Sequence, residues 1–156
     1  MHTPHWRLPP RLIAAALALG LAGTASATLG EQEETAARDA TAMAMTATRK
    51  AVAGRGASTV HELRAGRLAV RQYAGADGTV FAVAWDGPIH PDLDTLLGVH
   101  ARALRAAAAG PRTARGPRRI VAGNLVVEFG GHGRTLQGRA YLIDAVPAGA
   151  SLDDLQ

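Results

Sequence analysis

The chain has 156 residues, no cysteine, six histidines and a formal net charge of +4. The lack of cysteine excludes disulfides, thiolate zinc sites and a cysteine nucleophile, so a stable fold must rest on its core. The surplus of base is small and scattered, which argues against nucleic acid as a partner.

The N-terminus "MHTPHWRLPPR" carries Arg7 and Arg11 and no acid. An apolar run from Leu12 to Gly23 follows, then "TASA", with Ala25-Ser26-Ala27 in the small-x-small pattern. A basic start, a short apolar stretch and an A-x-A site together read as a signal peptide over residues 1–27, cleaved after Ala27. The run is too short to cross a membrane, which takes about 20 residues. Arg7 and Arg11 are not adjacent, so the general export route is expected, and a lipid anchor would need a cysteine at the cleavage site. The mature chain would keep 129 residues and a net charge of +2, lie in the periplasm or outside the cell, and hold no membrane span. At that length one domain can bury roughly two-thirds of its unfolded surface without staples.

Residues 28–58 are rich in Ala and Thr and lack aromatics. Ala36, Ala40, Met43 and Ala47 recur at helical spacing. Glu31, Glu33 and Glu34 stand before that stripe and Arg49 and Lys50 after it, an order that suits a helix dipole. Alanine buries little, so the segment is expected to be a weak helix over 31–50 or mobile. "AGRGAS" then reads as a hinge into an α+β domain over 59–156.

Strand patterns begin at Thr59. "TVHELRA", "RLAVRQY" and "TVFAVAW" are separated by a Gly and by "AGADG", and the Asp77-Gly78 pair between them signals a hairpin. The third run is apolar on both faces, with Phe81, Val83 and Trp85 expected on one and Val80, Ala82 and Ala84 on the other. Such a strand belongs in the middle of a sheet covered on each side. "DGP" closes it, Pro91 suits the first position of a helix, and Asp92 and Asp94 suit its first turn. Leu93, Leu96, Leu97, His100 and Leu104 form one face, interrupted at Gly98, where the helix is expected to weaken. "GPRTARGPRR", with Arg112, Arg115, Arg118 and Arg119, reads as a solvated loop. "NLVVEFGG" and "RTLQGRAYLI" form a hairpin around "GGHG", and "DAVPAGASLDDLQ" is a loop ending in a weak acidic turn. The fold class is thus α+β: a small antiparallel sheet of two hairpin regions, one amphipathic helix packed on a face, and an Ala-rich segment ahead of them.

Across "TLG", "VHEL", "VFAVAWDGP", "PDL", "LLG" and "GGHGRTLQGRAYL" the chain resembles a family of small exported proteobacterial proteins, domain of unknown function 2844. The resemblance spans nearly the whole mature chain. Gln72 stands where that family usually has an acid, and Val99-His100 replaces an aromatic pair. The resemblance implies export and a shared fold, and carries over no catalytic residue.

Chemistry must then come from single residues. His90, Asp92 and Asp94 crowd "HPDLD", but His90 is expected as the cap just outside the helix and His100 lies on the leucine face. No metal and no cofactor is expected. His132 and Arg134 sit at a glycine-rich hairpin tip, where a small anion could dock. There is no G-x-S-x-G, no H-E-x-x-H and no phosphate loop, and no catalytic residue is assigned. Glu62, Asp86 and Glu128 could serve a hydrolase of glycan or another envelope polymer, the alternative reading. Yet Glu62 and Glu128 are expected to pair with strand arginines, and Asp86 to cap its own turn. The reading adopted is an exported, non-catalytic binding or accessory module. Trp85, Asp86, His90, His132 and Arg134 are its candidate contacts, and another exported protein or envelope component is its partner. The two-faced strand needs two covers, and a second must come from residues 31–50 or from another protein.

Overall fold

The computed structural model describes residues 29–51, 59–109 and 117–155. The expected signal peptide, the hinge at "AGRGAS", Arg112 and Arg115 lie outside the described residues. In chain order the elements are α1 (Thr35–Ala42), β1 (Thr46–Ala51), β2 (Thr59–Ala65), β3 (Leu68–Ala74), β4 (Val80–Gly87), α2 (Leu93–Leu97), α3 (Ala101–Ala108), β5 (Arg118–Ala122), β6 (Leu125–His132) and β7 (Thr135–Leu142). The strands form one antiparallel sheet of order β1-β2-β3-β4-β7-β6-β5.

Two hairpin regions understate this sheet. β2, β3 and β4, and then β6 and β7, are the strands expected from alternation, and β4 joins the two groups by pairing with β7. β1 and β5 are additional edge strands. β5 takes Arg118 and Arg119 out of the expected loop and pairs them with Phe129 and Glu128. β1 takes Ala47 out of the expected helix and pairs it with Leu63. A boundary at residue 58 therefore falls between two paired strands.

The helix read over 31–50 stops at Ala42 because the chain reverses there. Ala44 adopts φ 52°, the left-handed region. The Met45 N–H reaches back to the Ala40 carbonyl at 2.7 Å and the Met43 N–H to that of Asp39 at 2.9 Å. This satisfies the carbonyls left open at a helix end. Arg49 and Lys50 then lie on an exposed sheet edge. There they discourage pairing with another chain.

β4 is buried along nearly its whole length, with Val80, Val83 and Trp85 at 0, 0 and 2% exposure. A bulge changes the expected division of its faces. Tyr73 pairs with Ala82 but Ala74 pairs with Val80, so Phe81 is the extra residue. Val80 thereby joins Val83 and Trp85 on one face, and Phe81 joins Ala82 and Ala84 on the other. The first face is covered by Leu96, Leu97, Ala101 and Leu104, together with Leu29, Ala40 and Met45 from the N-terminal segment. The second face holds Tyr73, Phe81, Val126 and Tyr141 and is covered by the chain's own tail. Leu155 is buried there, with Val146 and Leu152 packed beside it. Residues 31–50 thus reinforce the helical face, and the second cover is the tail, read from sequence only as a loop with a weak acidic turn.

The helix begins later than Pro91. Asp92 is its N-cap, and α2 ends at Gly98, whose φ of 42° breaks the run before α3. Leu96, Leu97 and Leu104 nonetheless share the buried face anticipated from their spacing.

Two outcomes are expected for stability. Ala44→Gly should raise it by about 1 kcal/mol, because glycine occupies the left-handed region without a Cβ clash. Deleting residues 152–156 should lower it by about 3 kcal/mol through exposure of Leu155 and the apolar row beneath it. Urea unfolding measures both, and a tail deletion as stable as the parent would show that the second face needs no cover.

Candidate functional site

Trp85 is held by three neighbours. It faces Gly138 across the β4–β7 pair, and a Cβ at 138 would overlap the indole ring at Cζ2. Its Nε1–H donates to His90 Nδ1 at 3.0 Å. Phe129 packs edge-on against it, ring centroids 5.9 Å apart, and His90 stands 5.4 Å from Phe129. With Nδ1 accepting, the neutral imidazole carries its proton on Nε2. His90 is therefore the partner of a buried indole, not a helix cap. Asp92 does the capping. Its Oδ1 accepts from the Asp94 and Thr95 N–H groups and its Oδ2 from the Thr95 hydroxyl at 2.7 Å. The Thr95 hydroxyl, and then these N–H groups, hold its carboxyl below the usual range against the opposing effect of burial. Asp94 pairs with Arg105. The three residues of "HPDLD" thus serve three separate ends, and among the described residues no three His, Asp or Glu side chains converge as a metal site.

The opposite face of the sheet carries a row of ion pairs set by register. Glu62 faces Arg71, Arg71 faces Ala84, Ala84 faces Arg139, Arg139 faces Glu128 and Glu128 faces Arg119. Arg71 donates to Asp86 Oδ1 at 2.8 Å and lies 3.6 Å from Glu62. Glu128 accepts from Arg119 Nε on Oε1 at 3.1 Å and from Arg139 Nε on Oε2 at 2.6 Å. Arg139 also donates to the Leu152 carbonyl, which ties the tail to the sheet. Glu62 and Glu128 pair with strand arginines as their positions implied. Asp86 does not cap its turn; it reaches back across the sheet to Arg71.

A cleft of about 970 Å³ opens where β5 begins and β6 runs on to His132. Its wall includes Trp85, Asp86, Arg119, Glu128, Phe129 and Arg139, with Gly130, Gly131 and Gly138 leaving backbone bare between them. Of the five expected contacts, Trp85, Asp86 and His132 reach this wall. His90 braces the cleft indirectly through Phe129, and Arg134 stays at the exposed hairpin tip. From sequence, Glu128 is legible as a carboxylate of the alternative hydrolase, Arg119 and Arg139 only as loop and strand residues, and nothing singles out Phe129. Their alternation with apolar residues along β5, β6 and β7 is the available signal.

A second polar cluster lies under α1. His61, buried in β2, sits 3.1 Å from Glu33, and Arg49 bonds the other Glu33 oxygen at 2.6 Å. The Arg49 bond is the main reason the Glu33 carboxyl lies below its usual range. Asp39 is 1% exposed on the buried side of α1 and accepts from Gln72 Nε2 at 3.2 Å. Burial pushes its carboxyl up to about 7, against the opposing hydrogen bond from Gln72. In the sequence Asp39 is one polar residue in an Ala-rich helix. Its spacing of three from Ala36 places it on the same buried stripe.

Asp39 makes stability fall as pH rises. At pH below its ordinary value of 3.8 both states hold the proton, between 3.8 and 7 only the unfolded state releases it, and above 7 the cost is complete. Asp39→Asn should therefore gain on the parent by up to about 4 kcal/mol across that interval and no further above it. Denaturant unfolding at several pH values checks this, and a constant difference would refute it. His90→Ala should cost about 1 to 3 kcal/mol, the penalty for a buried indole N–H left without its acceptor. A loss below about 0.5 kcal/mol in urea would mean that water replaces the imidazole.

No curated protein and no solved structure matches this chain. A family model described as "Protein of unknown function (DUF2844)" matches residues 25–155. The match takes in every element of the sheet, the tail that covers it and the cleft, and the chain belongs to that family.

Proposed function

We propose that this protein is an exported, non-catalytic binding or accessory module for a component of the cell envelope, and that the cleft at the start of β5 is its binding surface. Export is supported by the signal-like N-terminus, and the burial of Leu29 is compatible with cleavage ahead of it. Leu29 is 1% exposed, and the N–H groups of Leu29 and Gly30 bond the carbonyls of Leu96 and Val80 at 3.2 and 2.8 Å. Core structure is thus present two residues past the expected cleavage at Ala27, which suits a mature chain beginning at Thr28.

The observation that carries the non-catalytic reading is the state of Glu128. Both of its oxygens accept from arginines. That pairing ties Glu128 into the sheet, whereas glycoside hydrolysis demands of one carboxyl that it hand a proton to a leaving group. Asp86 is likewise held by Arg71. One observation favours the hydrolase as second reading: Asp86 and Glu128 line the same cleft.

Co-sedimentation of the purified exported protein with insoluble envelope material separates these. The parent should sediment with the envelope and release no soluble fragments. The double variant Arg119→Ala, Gln137→Ala, altered at two positions of the wall, should bind at least about tenfold more weakly. Undiminished binding by the variant would remove the cleft from the account. Release of fragments that stops in Glu128→Gln would establish the hydrolase instead.

A further inference from the structure

The buried side of α1 is small or polar throughout: Thr35, Ala36, Asp39 and Ala40. Alanine buries little apolar area, so packing alone holds this helix weakly to the sheet. Both ends of the segment are anchored by other means. Ahead of α1, Leu29 is buried, the Glu33 N–H bonds the Gly78 carbonyl and the Val80 N–H bonds that of Glu31, each at 2.8 Å. Behind it, Met45 is buried and β1 pairs with β2 along its whole length. The helix is thus a flap with fixed ends and a weak middle.

The grip on that middle is polar and ionisable. Asp39, buried in α1, accepts from Gln72 on β3. Gln72 stands directly opposite His61 on β2, and His61 directly opposite Arg49 on β1. His61 and Arg49 hold Glu33 at the foot of the helix. Lys50 pairs with Val60 and belongs to the other face of the sheet. Two charges act on Asp39 from a distance: Arg38 favours its ionised form and Glu31 opposes it. On α2, which also packs against α1, Asp92 is engaged in its cap and Asp94 with Arg105.

Among the described residues, no cation bonds Asp39 directly. A neutral carboxyl can donate to an amide oxygen while it accepts from the amide nitrogen; a carboxylate only accepts. A buried carboxylate also gives up its hydration without an ion pair in return. Lifting the helix restores that hydration at the cost of little apolar burial. We propose that α1 is a proton-operated flap: with Asp39 neutral it lies closed on β2 and β3, and when that proton leaves it lifts from a sheet that stays folded, uncovering His61 and Gln72. The flap is closed in acid and opens as the solution turns alkaline.

Native-state hydrogen exchange of the exported protein tests this. The Met43 N–H, bonded to the Asp39 carbonyl at 2.9 Å, reports the flap, and the Val83 amide reports the sheet. In low urea Met43 should exchange through an opening that urea leaves unchanged, while Val83 follows global unfolding. After correction for base-catalysed exchange, the Met43 opening constant should rise about tenfold per pH unit from about pH 5, and level off above about 7. In Asp39→Asn it should stay constant within about twofold. A Met43 opening free energy equal to that of Val83 would remove the flap. A Met43 opening indifferent to pH in the parent, or a rise in Asp39→Asn as steep as the parent's, would remove Asp39 as its trigger. The first two results come from the parent alone and stand whether or not the variant folds.

Discussion

The indole of Trp85 occupies the space that a Cβ at residue 138 would fill, so β4 and β7 can pair at this level only because 138 is glycine. That pairing joins β1–β4 to β5–β7. It also makes β4 the central strand, fourth of the seven described, and leaves both of its faces in need of cover. α2, α3 and the N-terminal segment cover one; the tail covers the other. The bulge at Phe81 fits the same constraint, since it turns a large ring toward the tail and leaves Val80, Val83 and Trp85 to the helices. Deleting the indole would remove a 2%-exposed side chain at the hub, a change that costs about 3 to 5 kcal/mol in well-packed cores.

The chain treats its two polar clusters differently. Under α1 it buries Asp39 beside Gln72, which raises the carboxyl to about 7, while Glu33 stays charged against Arg49 and His61. On the tail side the register lines up Glu62, Arg71, Arg139, Glu128 and Arg119, and the half-exposed pairs contribute little to stability. Their greater effect is on shape, because they hold planar donors and acceptors still at the mouth of a cleft. The tail crosses this row, tied by Arg139 to the Leu152 carbonyl. The cleft opens beside that tie, with Asp153 and Leu155 in its wall.

Much of the fold is legible in local patterns. Alternation marks β2, β3, β6 and β7, the doubly apolar run marks the central strand, and the leucine spacing marks the buried face of α2 and α3. β1 is hidden because no Gly or Pro marks the reversal after α1; Ala44 takes the left-handed conformation instead. β5 is hidden because Arg118 and Arg119 follow a Gly-Pro and only Ile120 is buried in its five residues. The tail is easily underrated since its apolar residues, Val146, Leu152 and Leu155, are too widely spaced to show a period. At the site, Trp85 and Asp86 are visible as the end of a strong strand. The arginines that complete it come from strands distant in sequence, and only the register brings them together.

Hydrogen exchange tests most directly the claim that β4 is sealed on both faces by the chain itself. The Trp85 indole N–H and the amides of Val83, Ala84 and Trp85 should exchange only through global unfolding, with an opening free energy equal to that from urea. Exchange of the indole N–H by a local opening, at least about 2 kcal/mol below the global value, would contradict the claim.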